Sequence, residues 1–113
     1  MTTKLIMTRD INGYVDYILD DSDTKYNVNL GSGVAQSITT PIDAQRFNVF
    51  FSIEPGTTVW IAINTTAAVP VGTFALTRSD LNPVGLKVKA GDTISFITSD
   101  TSSQVGVKFY ALQ

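Results

Sequence analysis

The chain has 113 residues, of which 43% are hydrophobic and 16% charged, and its formal net charge at pH 7 is −2. This length fits one domain that buries roughly two thirds of its unfolded surface, so we expect a single domain spanning residues 1–113. The eight Lys and Arg residues are scattered singly, which excludes the basic footprint of a nucleic-acid-binding protein. No apolar run approaches the roughly 18 residues of a membrane-spanning helix.

The chain contains neither Cys nor His. Their absence removes disulfides, zinc–sulfur sites, the commonest general base and every nucleophile–histidine arrangement. Paired carboxylates alone would need a deep cleft, which a domain of this size rarely has. The sequence therefore predicts a non-enzymatic protein without metal or other cofactor.

The first 35 residues are more polar than the rest and are predicted to form an N-terminal arm or an edge region. Residues 14–19 and 26–30 have the composition of strands within it. The N-terminus lacks the apolar segment of a secretory signal, which predicts synthesis in a cytoplasm without export by that route.

Five carboxylates lie within fourteen residues of this region. Calcium prefers such oxygen ligands, but the EF-hand loop also requires Gly at its sixth position and Glu at its twelfth. Neither is present here, so the cluster predicts a solvated turn rather than a metal site. Its members are Asp10, Asp16, Asp20, Asp21 and Asp23.

Alternation of apolar and polar residues dominates the sequence from Arg46 onward, as in half-buried strands. Gly- and Pro-containing turns such as Pro55–Gly56 and Gly91–Asp92 separate the alternating stretches. This pattern predicts an all-β fold of about seven to nine short antiparallel strands in a two-sheet β-sandwich, either jelly-roll or Ig-like, with a barrel as the alternative. The predicted strands cover residues 46–53, 59–64, 73–77, 86–90, 93–98 and 104–112.

The inward parity of these strands predicts a core of β-branched and aromatic side chains. Its predicted members are Phe47, Val49, Phe51, Ile61, Ile63, Phe74, Leu86, Val88, Ile94, Phe96, Val107 and Phe109.

Phe50 and Trp60 have the opposite parity and are predicted to point away from the core. If Pro55–Gly56 closes a hairpin of three or five residues, the two rings become diagonal neighbours on the non-core face. They are then candidates for the centre of an interface, with Tyr14 and Tyr17 as further candidates. The alternative is that both faces of this strand pair are covered within the monomer.

From Arg46 on, the chain resembles small virion proteins of tailed bacteriophages. The stretches that carry the resemblance are residues 47–64, 88–96, with the Ala90-Gly91-Asp92 turn, and 105–110. The resemblance covers about two thirds of the chain, and the family is that of short β-sandwich decoration, or cementing, proteins. It implies a virion structural protein that binds the major capsid protein and associates with itself as a homodimer or homotrimer. No cofactor and no catalytic residue are implied.

A second hypothesis is a carbohydrate- or receptor-binding module of a phage fibre or tailspike. In that case Trp60 or exposed tyrosines would serve as stacking platforms.

Overall fold

A computed structural model describes residues 1–6, 8–9, 11–16 and 19–112 of the chain. Within these residues the backbone forms strands, turns and loops, and no helix. Ten strands follow one another along the described chain: β1 (Thr8–Arg9), β2 (Val15–Asp16), β3 (Lys25–Gly31), β4 (Gln36–Thr39), β5 (Arg46–Ile53), β6 (Val59–Ile63), β7 (Asp80–Leu81), β8 (Gly85–Lys89), β9 (Thr93–Thr98) and β10 (Ser102–Ala111).

Eight of these strands build two four-stranded antiparallel sheets. Sheet 1 has the order β3-β10-β5-β8 and sheet 2 the order β4-β9-β6-β7. The first of the eight strands pairs with the last, the second with the seventh, the third with the sixth and the fourth with the fifth. This is one long hairpin rolled up into two sheets, the jelly-roll topology. The predicted two-sheet β-sandwich is thus confirmed, and the pairing identifies it as a jelly roll rather than an Ig-like fold.

The core lies between the two sheets because the inward parity of each central strand is apolar. On β5 this parity supplies Phe47 and Phe51, while Phe109 comes from β10 and Phe96 from β9, and all four are buried. The Phe51 and Phe96 rings meet edge to face across the sheets, with centroids 5.9 Å apart. Nine predicted core residues are buried, and two others, Ile63 and Leu86, are partly buried against the same cluster.

The predicted strand at residues 73–77 is wrong, and so is the assignment of Phe74 to the core. These residues belong to the loop between β6 and β7, where Phe74 is 96% exposed. Gly72 has a positive φ of 94°, and β7 pairs with β6 through only two residues. Residues 73–77 pair with no strand of either sheet.

The N-terminal region is divided between the edge of the sandwich and a small separate hairpin. β3 is an edge strand of sheet 1, whereas β1 and β2 pair only with each other, outside both large sheets. Lys4 forms an isolated parallel bridge with Ala111 on β10, and the Leu5 N–H donates to the Ala111 carbonyl over 2.9 Å.

Asp43 holds the chain start against the sandwich. The Thr2 backbone N–H donates to Asp43 Oδ2, and the Thr2 hydroxyl donates to Oδ1 over 3.0 Å. Hydrogen bonding from the Thr2 backbone lowers the pKa of Asp43 from its ordinary value, although partial burial opposes this. Since the pKa is depressed in the folded state, the stabilisation is complete above the ordinary Asp value of about 3.9 and is lost as the pH falls through the folded value.

Acid is therefore expected to release residues 2–5 before the sandwich unfolds. The protection factor of the Leu5 amide against hydrogen exchange should fall as the pH drops from about 4 to about 2. Asp43→Asn should lower it already at pH 7, whereas Asp80→Asn, at an exposed aspartate on β7, should leave it unchanged. Equal Leu5 protection in all three proteins across this pH range would contradict the role of Asp43.

Candidate interaction surfaces

Phe50 and Trp60 lie on different sheets, so the predicted hairpin between β5 and β6 is wrong. β5 pairs with β10 and β8 in sheet 1, and β6 pairs with β9 and β7 in sheet 2. The Pro55–Gly56 turn carries the chain from one sheet to the other, and Gly56 has the positive φ of 80° that this tight turn requires. The two rings therefore lie on opposite outer faces of the sandwich.

Phe50 is half-buried on the outer face of sheet 1. Its ring meets Tyr110 edge to face, with centroids 5.6 Å apart. Tyr110 is 2% exposed, although its parity points outward, and its hydroxyl donates to the Asp20 carbonyl. Burial raises the pKa of Tyr110, so the phenol remains a hydrogen-bond donor at neutral pH. Residues 19–21 thus cover Tyr110 but leave part of Phe50 accessible.

Trp60 is half-buried on the outer face of sheet 2, where the chain's own β6–β7 loop covers it. It packs in a small apolar cluster around the buried Ala62, Ala67 and Ile97. The Ala67 N–H donates to Ser95 Oγ over 2.9 Å, which pins the loop to β9. The Trp60 side chain is therefore covered within the monomer, which is the alternative to an interface that the sequence left open.

Tyr14 precedes β2 and is 73% exposed. Tyr17, the fourth residue of the predicted interface, lies outside the described residues. The two tyrosines therefore remain sequence-based predictions.

Three strongly exposed apolar side chains lie in and just before the segment 73–77, which the sequence predicted to be a strand. Within residues 71–76 of the β6–β7 loop, which we call the apolar loop, Val71 is 86% exposed, Phe74 is 96% exposed and Leu76 is fully exposed. Pro70, just before this loop, and Gly72, within it, are the sequence signals that favour a loop here, because the alternating stretch that follows them is too short to specify a strand.

The outer face of sheet 1 carries five of the eight basic residues. On β5 and β8, Arg46 stands directly opposite Lys89, and on β10 and β3, Lys108 stands opposite Lys25. Like charges directly opposite are unfavourable in a sheet. Lys25 forms an ion pair with Asp21 at 2.8 Å, the one salt bridge found among the described residues. We call this surface the basic face; its members are Lys25, Arg46, Lys87, Lys89 and Lys108.

The acidic cluster is used for local contacts where the structure describes it. The Lys25 ammonium lowers the pKa of Asp21 through a hydrogen bond and its charge. Asp23 Oδ1 accepts the Thr3 N–H over 2.8 Å. No group of three or more carboxylates close enough to hold a metal ion occurs in the described part of the chain, and Asp10 lies outside it.

No helix long and apolar enough to cross a membrane occurs in the ranges that the structure covers. Comparisons with protein-family models, with curated proteins and with solved structures found no match to this chain. The apolar loop lies between β6 and β7 of sheet 2, whereas the outer face of sheet 1 carries both the basic face and the partly accessible Phe50 ring. These features are the basis for a functional assignment.

Proposed function

We propose that this protein is a non-enzymatic structural subunit of a virion, a decoration protein that binds the outer capsid and stabilises contacts between capsomers. The observation that carries the proposal is the apolar loop. Its three large side chains, Val71, Phe74 and Leu76, are exposed almost completely within six residues. Its partners are the major capsid protein and further copies of the same chain in a homodimer or homotrimer.

A partner that covers these side chains would give their exposure an energetic reason. Burying one such side chain is worth about 1.5–3 kcal/mol, and in the free protein the loop forgoes this contribution. Apolar and aromatic groups free of Lys, Asp and Glu are typical of the buried centre of an interface. The apolar loop has this composition.

The fold is consistent with this proposal. Jelly rolls occur in viral capsid proteins, although they also occur in lectins and cupins, so the fold alone assigns no function. The low content of charged residues, 16% of the chain, suits a protein whose surface is largely covered by neighbours. The interface residues predicted from sequence remain Phe50, Tyr14, Tyr17 and Trp60. We add the apolar loop to this proposed interface.

The proposal requires that a tailed phage encodes the chain, and it is tested on particles purified from that phage. We expect mass spectrometry to find the protein in them at a fixed ratio to the major capsid protein. Purified protein should also rebind to particles that lack it. A triple variant, Val71→Ser, Phe74→Ser and Leu76→Ser, should bind at least a hundredfold more weakly, because about 1.4 kcal/mol corresponds to tenfold in affinity.

The matched control replaces three exposed apolar residues elsewhere, Ile11→Ser, Val34→Ser and Ile42→Ser, and should bind like the wild type. Particles without the chain would refute the virion assignment. Equal rebinding of both triple variants would refute the role of the apolar loop.

A further inference from the structure

A groove crosses the outer face of sheet 1 over Phe50. Two adjoining depressions, of about 590 and 240 Å³, share the Phe50 side chain as part of their lining. The larger volume falls in the range of small-ligand sites, which is about 300–1,000 Å³, and the smaller one extends it. We call them together the Phe50 groove. None of the three residues of the apolar loop lines it.

Gly85 keeps the floor of the Phe50 groove open. It stands directly opposite Phe50 on β8. A Cβ atom at this position would meet the Val49 carbonyl oxygen at 3.0 Å and the Phe50 ring at 3.4 Å. Because Gly85 has no side chain, the half-buried Phe50 ring remains available for contact with an apolar ligand surface, such as the C–H face of a pyranose.

Hydrogen-bond acceptors line both ends of the groove. Asp20 and Asp21 are at one end, and Asn48 is at the other. The Asn48 Oδ1 atom is buried and has no hydrogen-bond partner among the described residues. A buried acceptor without a partner costs free energy, and most such groups in proteins are satisfied. Rotation of the Asn48 amide toward the groove would let a ligand hydroxyl donate to Oδ1 and remove this cost.

Two cations flank the ring. Lys108 stands directly opposite Phe50 on β10, and Lys87 stands opposite Asn48 on β8. Both belong to the basic face, so each offers an ammonium group that can pair with an anionic group of a ligand. Asp20 and Asp21 would repel a closely spaced row of phosphates, and the chain as a whole is acidic, which argues against a nucleic acid.

We propose that the Phe50 groove binds an acidic oligosaccharide, whose sugar carboxylate contacts Lys108 and Lys87 and whose hydroxyls donate to Asp20, Asp21 and Asn48. Phe50 packs against a sugar ring. An acidic sugar unit carries hydroxyls and a carboxylate on a ring whose C–H face is apolar. The acceptors, the cations and the aromatic ring of the groove match these three features in turn. The inference does not rest on the capsid assignment, because the observation that carries that assignment is the apolar loop, and none of the loop's three exposed side chains lines the groove.

Isothermal titration calorimetry of the full chain tests the groove with two acidic probes and their neutral counterparts. Tetragalacturonate is compared with cellotetraose, and 3′-sialyllactose with lactose, so that the two arms separate a uronate from a sialate source. We expect at least one acidic probe to bind with a Kd below about 1 mM and at least tenfold more tightly than its neutral counterpart.

The double variant Lys87→Gln, Lys108→Gln should lower this affinity at least tenfold, because hydrogen bonds to charged groups are the stronger ones. Phe50→Ala should lower it as well. The control Lys4→Gln, Arg78→Gln removes two cations outside the basic face and should bind like the wild type. A lysine on the edge strand β8, such as Lys87, can also serve to discourage pairing with the edge of another sheet. If that were its only role, the double variant would bind the glycan as tightly as the wild type.

Four results would overturn the inference. They are no binding of either acidic probe, equal binding of the acidic and neutral probes, undiminished binding to the Lys87→Gln, Lys108→Gln variant, and tighter binding of an eight-nucleotide thymidine oligonucleotide than of the acidic sugars. The last result would identify a site for nucleic acid.

Discussion

Replacing Phe109 by Ala is expected to lower the free energy of unfolding by about 3–5 kcal/mol. Phe109 is fully buried on β10, the strand that lies between β3 and β5 in sheet 1. Its ring meets Phe47 and Tyr26 edge to face, with centroids 6.3 and 6.0 Å apart. Both neighbouring strands are held by ladder hydrogen bonds, so the structure can collapse only partly into the space that the ring leaves. The loss is a large part of the roughly 5–15 kcal/mol that stabilises a domain.

Phe74→Ala is the matched control, because it makes the same chemical change at a side chain that is 96% exposed. We expect a change within about 0.5 kcal/mol. Urea unfolding of the wild type and both variants measures the difference as a shift in midpoint at constant slope. A similar loss in both variants would show that the apolar loop is packed in solution, as the sequence pattern predicted for Phe74.

The strands and their inward faces could be predicted because alternation is a local property. On β5, the residues Phe47, Val49 and Phe51 alternate with more polar neighbours, so the sequence specified both the strand and its buried side. The same reasoning placed Phe50 and Trp60 outside the core between the sheets, and the structure agrees. Whether a residue points inward or outward follows from its position along its own strand, and does not depend on which strands are its neighbours.

The pairing of strands could not be predicted, because it depends on contacts between distant parts of the chain. Pro55–Gly56 marks a turn, but a turn can return the chain into the same sheet or carry it into the facing one. In the structure β5 pairs with β10 and β8 instead of β6. The prediction that Phe50 lies close to Trp60 was wrong for this reason.

The candidate sites show the same division between local and long-range information. The outward parity of Lys87, Lys89 and Lys108 can be deduced from the sequence, but their gathering on one face follows from the jelly-roll strand order. The exposure of Phe74 and the cover over Trp60 depend on the path of residues 64–79. That path is fixed by single contacts such as Ala67 with Ser95, and such contacts leave no periodic signal.

Trp60→Ala is expected to lower the free energy of unfolding by about 2–3 kcal/mol, somewhat less than for a fully buried Trp because the side chain is half-exposed. Trp60 joins the loop to sheet 2 through the cluster around Ala67 and Ile97, so its removal should also loosen residues 65–69 and speed proteolysis within the neighbouring apolar loop. Val71→Ala, in the same loop at a side chain that is 86% exposed, is the control and should leave the unfolding curve in place. Sedimentation of the same proteins separates the two roles considered for Trp60, which are securing the β6–β7 loop and forming a subunit interface. If the residue mainly secures the loop, stability falls while any self-association of the folded fraction persists. If self-association weakens while stability is unchanged, Trp60 lies at a subunit interface, as the sequence predicted, and the covering loop must move aside when copies meet.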